Sequence, residues 1–283
     1  MKFGASLPLT ASSDPVAIRD FAQALDGASF DLLTSAGHVL GVPADRYTDR
    51  PVATYTGPFH DPFVLFAYLA AATTRLHFRP SILILPLYPA VLVAKQSAEL
   101  QLVSNGRFEL GVGISWNLAE YEAVGQDFAT RGRRLEEQVE VLRRLWTEPY
   151  VTFHGRWHHL DGVGLNRVVT PPIPIWIGGA HERVLRRAAR LADGFVPLGD
   201  PTDVMPRIRQ YLVEAGREPA AFGLTGRVVA GPGGAGAWVE AARKLQSLGA
   251  THLVLSAPPD LQGEAGLQRV IEARSALAAE LGS

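Results

Sequence analysis

Apolar and polar positions along the chain follow two rhythms that alternate. Compact apolar runs at Phe3–Leu7, Phe30–Thr34, Leu76–Leu85 and Arg107–Gly113 read as strands. Between them apolar residues recur at helical spacing. Ala17, Phe21, Ala24, Leu25 and Ala28 form one such face, Val91, Ala94, Ala98 and Leu102 a second, and Leu135, Val139, Leu142 and Trp146 a third. The punctuation agrees. Asp14-Pro15 and Asp61-Pro62 each supply an N-cap followed by a proline that the first helical turn tolerates. Asn105-Gly106 stops a helix, and Pro149 ends the long one before it. Phe63 to Ala72 is apolar nearly all round, which predicts a buried helix.

The second half repeats the rhythm. Ile173–Ile177, Gly194–Pro197, Phe222–Ala230 and Thr251–Ser256 read as strands, each followed by a helical pattern, the last carried by Leu267, Val270, Leu277 and Leu281. Eight strands alternating with helices predict the α/β class and a closed (β/α)8 TIM barrel rather than an open sheet. No Gly/Ser linker or charge run divides the chain, so residues 1–283 read as a single domain. Two stretches exceed a minimal barrel: Ser35–His60 after strand two, and Tyr150–Pro172 before strand five, with a hairpin-like core at Val151–Leu160. Long connections in compact folds are usually functional or disordered, and the aromatic residues here speak against disorder. The first insertion leaves the C-terminal face of the barrel, where barrel active sites sit.

Composition narrows the chemistry. The chain has 283 residues, 47% of them hydrophobic and 19% charged, and this length buries a core without staples. It has no Cys, which removes disulfides, thiolate nucleophiles and thiolate metal sites and is consistent with a reducing, cytoplasmic setting. The net charge of −1 gives no electrostatic footprint for nucleic acid. The apolar run from Ser81 to Ala94 is broken by two prolines and is too short for a membrane span, and Met1-Lys2-Phe3-Gly4 enters a strand with no leader pattern.

Several motifs carry more than one reading. Gly231-Pro-Gly-Gly-Ala-Gly236 has the spacing of a dinucleotide loop, yet Pro sits in the turn and no acidic residue ends the next strand, at Ser256. A plain glycine loop or a phosphate contact remain the other readings. His154, His158 and His159 have metal-like spacing, but only Asp161 could complete a set, and solvated insertion residues are the plainer expectation, with no metal. Gly178-Gly179-Ala180 ends a strand before a helix and could hold a phosphate on bare amides.

In order along the chain, these segments resemble the bacterial luciferase-like superfamily of flavin and deazaflavin oxidoreductases. The resemblance rests on Ile84–Gln96, Ser104–Asn117, Glu120–Gly125, Arg131–Glu137, Pro174–Gly179 and Ala192–Phe195. It is strong over roughly residues 1–200 and weak beyond them. The coenzyme F420 branch matches best, given the short length, a histidine after strand two, and Asn117.

The resemblance implies a barrel, usually dimeric, with the cofactor ring in its mouth. It implies a non-prolyl cis peptide at Ser81-Ile82 supporting the ring, His38 as the ring-side catalytic residue, and cofactor contacts at Gly113, Asn117, Gly178, Gly179 and Ala180. An imidazole suits proton transfer coupled to hydride transfer. Two departures stand out. The residue before the histidine, often Asp, is Gly37, and the glutamate that dehydrogenase relatives place after strand four is Ile114. The loop Val196–Pro206 has no Lys for a sugar phosphate, which disfavours glucose-6-phosphate oxidation. Tyr55, Phe59, Tyr88, Ile114 and Trp116 are the expected lining of an apolar substrate pocket. The resulting expectation is an F420-dependent oxidoreductase, acting as a reductase of a small organic molecule and assembled as a homodimer. An FMN-dependent monooxygenase and a cofactor-free binding relative are the alternatives.

Overall fold

The structure, a computed structural model, describes residues 1–8, 14–43 and 59–282. Its parallel barrel strands are β1 (Lys2–Ser6), β2 (Leu32–Gly37), β3 (His77–Ile84), β4 (Leu110–Gly113), and, after a separate hairpin of β5 (Val151–His154) and β6 (His159–Val163), β7 (Ile175–Gly179), β8 (Gly194–Pro197), β9 (Gly223–Val229) and β10 (His252–Ser256). The order around the barrel is β1-β10-β9-β8-β7-β4-β3-β2, closing on itself. Each barrel strand is thus covered on its outer face by helices, which is why strands such as Leu110–Gly113 and Ile175–Gly179 are buried along their whole length.

The helices are α1 (Pro15–Gly27), α2 (Pro62–Ala72), α3 (Ala90–Val103), α4 (Leu118–Ala123), α5 (Arg131–Thr147), α6 (Glu182–Leu191), α7 (Pro201–Glu214), α8 (Gly234–Ser247) and α9 (Gly263–Leu281). One capping device recurs. Asp14, Asp61 and Asp200 each accept an amide hydrogen bond from the first turn, and a proline follows each of them. α2 is buried through Phe63, Leu65, Phe66 and Leu69, but Val64 on its outer side is 72% exposed.

Strand positions shift from the sequence reading in one informative way. β2 runs on to Gly37 instead of ending at Thr34, because its pairing with β3 continues past an irregularity between Ser35 and Gly37. β4 is shorter than expected, and Phe108 contributes only an isolated bridge to Phe78. The helix α4 was not visible in the sequence pattern; six residues are too few to show a period.

The lower half of the barrel interior is filled by a polar and aromatic layer. Arg79 is fully buried, donates to Glu109 at 3.2 Å and to Thr225 at 3.0 Å, and lies 3.9 Å over the Trp176 ring. Burial lowers its guanidinium to about 10, against the opposing pull of Glu109. The Trp176 ring occupies the space where side chains at Gly194 and Gly223 would stand. His252 meets Trp176 edge-on, with ring centroids 4.8 Å apart.

The insertion before β7 folds as the antiparallel β5–β6 hairpin, pairing Phe153 with Leu160 and His154 with His159. Its turn is pinned by Glu137, which accepts from the amides of Arg156, Trp157 and His158 and from the His158 ring at 2.8 Å. His154 and His159 face each other across the ladder, and His158 turns away to Glu137. Gly231–Gly233 forms the loop into α8, whose first turn takes up Gly234–Gly236, and the Gly231 carbonyl accepts from the Trp238 indole at 2.9 Å. No helix among the described residues is long and apolar enough to cross a membrane.

Candidate functional site

Above the Arg79 layer, at the C-terminal ends of the barrel strands, lies a cavity of about 550 Å³. Strand alternation decides what faces it. Side chains two residues apart share a face, so the inward row continues upward from Arg79 to Ser81 on β3, and from Thr225 to Arg227 on β9. Ser6 and Thr34, on neighbouring β1 and β2, hold each other at 3.2 Å between hydroxyls. The rest of the wall is mostly apolar, with Ile82, Ile84, Val196, Leu198 and Val254 contributing.

The Ser81–Ile82 peptide is cis. Ile82 stands under the cavity mouth, and three other strands leave room for it. A Cβ at Gly113 would collide with Ile82 Cδ1, one at Gly178 would meet Ile82 Cγ2 at 2.7 Å, and one at Gly37 would meet the Ile82 carbonyl oxygen at 2.8 Å. Gly37 therefore has a packing reason of its own: a side chain such as Asp cannot stand there against this backbone.

His38 follows β2 directly and lines the cavity. Its Nδ1 lies 3.0 Å from Oε2 of Glu120, on α4. Glu120 is 0% exposed, and its other oxygen accepts from the amides of Val39 at 2.7 Å and Leu40 at 3.3 Å. Burial alone would raise this carboxyl. The His38 hydrogen bond and charge and the two amides outweigh that and hold it below the usual carboxylate range. An ionised carboxylate only accepts, so Nδ1 is the donor in this pair. Phe59 and Trp116 flank the ring, with centroids 5.2 Å and 6.3 Å away.

The turn after β7 forms another edge. Gly178, Gly179, Ala180 and His181 line the cavity together with Val184, so the N-terminus of α6 opens onto it. Gly179 is held close to α6, since a Cβ there would meet Val184 at 2.7 Å. Such a helix N-terminus favours an anionic group.

Of the residues expected from sequence, His38, Ser81, Ile82, Ile114, Trp116, Gly178, Gly179 and Ala180 come together around this cavity. Gly113 lies behind Ile82 instead of on the wall. Asn117 is buried and caps α4, accepting from Ala119 at 3.2 Å, and is not on the cavity wall. Tyr88 is half-buried against Ile84 and Leu87, with its hydroxyl pushed up to about 12, chiefly by burial, and it too stays off the wall. Phe59 reaches the site through the His38 ring. Tyr55 lies outside the described residues. Sequence reasoning missed Glu120, Arg227 and His181. Glu120 stood inside the Glu120–Gly125 run but on a helix too short to signal its face. Arg227 had a signal, an arginine at an inward strand position.

The family model described as luciferase-like monooxygenase matches residues 1–280. An uncharacterised protein of Mycobacterium tuberculosis is 42% identical over 164 residues, 56% of this chain and 57% of that protein. An F420-dependent glucose-6-phosphate dehydrogenase of Gordonia bronchialis is 34% identical, covering 48% of this chain and 43% of that protein. An FMNH2-dependent dimethylsulfone monooxygenase of Pseudomonas fluorescens is 30% identical, covering 61% and 47%. The chain thus spans about half the length of the curated relatives it matches. An F420-dependent secondary alcohol dehydrogenase, solved with an F420–acetone adduct, superposes with a TM-score of 0.80 at 17% identity, covering 98% of both chains, a likeness of fold.

Proposed function

The chain belongs to the luciferase-like monooxygenase family, and from that premise we propose that it is an F420-dependent oxidoreductase, working as a reductase of a small organic substrate. The observation that carries this reading is the His38–Glu120 pair, set at the rim of a largely apolar cavity beside the Ser81–Ile82 bulge. The residues present fit a flat heterocycle with a phosphate-bearing tail: Ile82 offers an apolar support, and the Gly178–Ala180 turn opens the α6 N-terminus to an anion.

The bound deazaflavin supplies the hydride chemistry. The protein supplies position and a proton. Glu120 fixes the His38 ring by accepting at Nδ1, and the ring so oriented is the group that gives a proton to the substrate or takes one from it. Ile114 and Trp116 line the cavity beside His38 and present apolar surface to the substrate. Ile114 cannot act as a base, and of the two histidines on the wall it is His38, held by the buried Glu120, that handles the proton. The working assembly is a homodimer formed through the outer sides of α2 and α3, where Val64, Tyr68, Val91 and Leu92 are exposed.

A second reading, an FMN-dependent monooxygenase, is favoured by the Pseudomonas relative. Titrating the purified protein with oxidised F420 and with FMN, followed by fluorescence quenching, separates the readings. F420 binding without comparable FMN binding is expected. FMN binding alone turns the assignment to the monooxygenase, and no micromolar binding of either leaves a cofactor-free relative.

A further inference from the structure

Arginines on this protein are mostly paired. Arg143 meets Asp193 at 2.8 Å, Arg187 meets Glu136 at 2.8 Å and Arg186 meets Glu182 at 3.0 Å. Arg227 belongs to the minority that are not, and it alone of these lines the mouth cavity. It has no ion pair or hydrogen bond among the described residues. It is also the only Lys, Arg, Asp or Glu among the described residues that line the mouth cavity.

Its setting is fixed by the strand. Thr225, the inward residue one step below, has its hydroxyl engaged by Arg79 at 3.0 Å. The cross-strand neighbour on β10 is Val254, which is apolar and also on the wall. On β8 the wall is Val196. The exposed guanidinium therefore rises from an apolar stretch of wall at the open mouth, and no carboxylate among the described residues neutralises it. A cation in such a place gains most from an anion that arrives with a ligand, and the planar fork of arginine matches a carboxylate through two parallel hydrogen bonds.

The source of that anion follows from barrel topology. The α6 N-terminus, where a cofactor phosphate would be held, belongs to the end of β7, with β8 standing between it and β9. β9 lies four strands around from β3, so Arg227 faces Ile82 across the full width of the mouth. A molecule placed on the open side of Ile82, within reach of His38, would extend toward Arg227.

We propose that Arg227 anchors the substrate, and that the substrates of this site are small organic acids with an apolar body and one carboxylate. The inference rests on the mouth cavity being the reaction chamber, but its test does not need the cofactor. Benzoate and its neutral counterpart benzamide serve as probes, measured by calorimetry on the protein alone, with F420 and FMN titrated separately.

Benzoate is expected to bind on the order of ten- to a hundredfold more tightly than benzamide, the range of a charge-assisted pair. Arg227→Met is expected to abolish that preference and leave cofactor affinity within about threefold. Arg227→Lys, which keeps the charge and loses the fork, is expected to retain part of it. Equal binding of the two probes overturns the proposal, as does a preference that survives Arg227→Met. Loss of cofactor binding in Arg227→Met with benzoate unaffected also overturns it, by assigning the arginine to the cofactor. Benzoate uptake through Arg227 in a chain that binds neither cofactor supports the anchor and overturns the oxidoreductase reading alone.

Discussion

His38 Nδ1 lies 3.0 Å from Oε2 of Glu120, so a carboxylate with no exposed surface of its own sets the tautomer of the histidine at the cavity rim. The Glu120 carboxyl is held below its ordinary value of 4.5. Its proton is therefore bound less readily in the fold than in the unfolded chain. The stability this contributes is present above the unfolded carboxylate range and is lost as pH falls through the lower, folded value.

His38→Ala is expected to lower turnover by about 10²–10⁴-fold while cofactor affinity changes little. Glu120→Gln is the sharper variant. Its Oε1 can still accept from Val39 and Leu40, but an amide nitrogen then faces His38 and forces Nδ1 to accept. The ring proton moves to Nε2, and turnover is expected to fall about 10–100-fold. Nitrogen NMR of the labelled imidazole checks the tautomer independently of activity.

Gly113→Ala is expected to weaken cofactor binding from behind the cavity wall, by displacing Ile82. Its new methyl would collide with Ile82 Cδ1, and the side chain must move into the mouth or the strand must shift. Overpacking of this kind costs about 1–3 kcal/mol. Urea unfolding measures the cost, and cofactor titration measures the displacement. The double variant Gly113→Ala with Ile82→Val is expected to recover part of both.

Stability should fall on acidification well before the carboxylates titrate. Burial, with Arg79 and Lys2 nearby, pushes the His252 ring down from 6.5 to about 3. Between those values the unfolded chain binds the proton and the fold does not, so stability declines as pH drops below about 6.5 and the whole contribution is gone near 3. His252→Asn is expected to flatten the melting temperature between pH 5 and 7 relative to the parent. A parent profile that is already flat over that interval would contradict this.

Val64→Glu combined with Leu92→Glu is expected to convert a homodimer into a monomer in light scattering. Both side chains are exposed on adjacent helices, α2 and α3, at 72% and 57%. A helix that is apolar all round is expected to be covered on all sides, and among the described residues of a single copy only the inner side of α2 is buried. Charges placed there should leave the barrel melting transition nearly unchanged.

The barrel was legible in the sequence because strand and helix signals agreed for nearly every unit. Asp-Pro caps, Gly stops and apolar faces pointed the same way. The site was legible in part. Residues on strand ends or next to them, such as His38, Ile82 and Gly178, could be assigned from order along the chain. Asn117 and Tyr88 could not, because their side chains turn away from the cavity, Asn117 to cap α4 and Tyr88 into the Ile84 and Leu87 cluster. Glu120 was hidden for the opposite reason: it is an acidic residue on the buried side of a six-residue helix. Sequence distance also conceals its pairing, since 82 positions separate it from His38.

The crowding around Ile82 has a consequence for how this barrel can change. Gly37, Gly113 and Gly178 sit on three different strands, yet each is small because of the same bulge. None of the three can accept a side chain while Ile82 keeps its place; valine at position 82 would relieve Gly113 alone, and alanine would free Gly113 and Gly178 together, leaving Gly37 still facing the backbone carbonyl. Substitutions there should therefore arrive as linked sets. A drift in ligand preference among descendants of this chain would have to begin at position 82 before it could spread to β4 or β7.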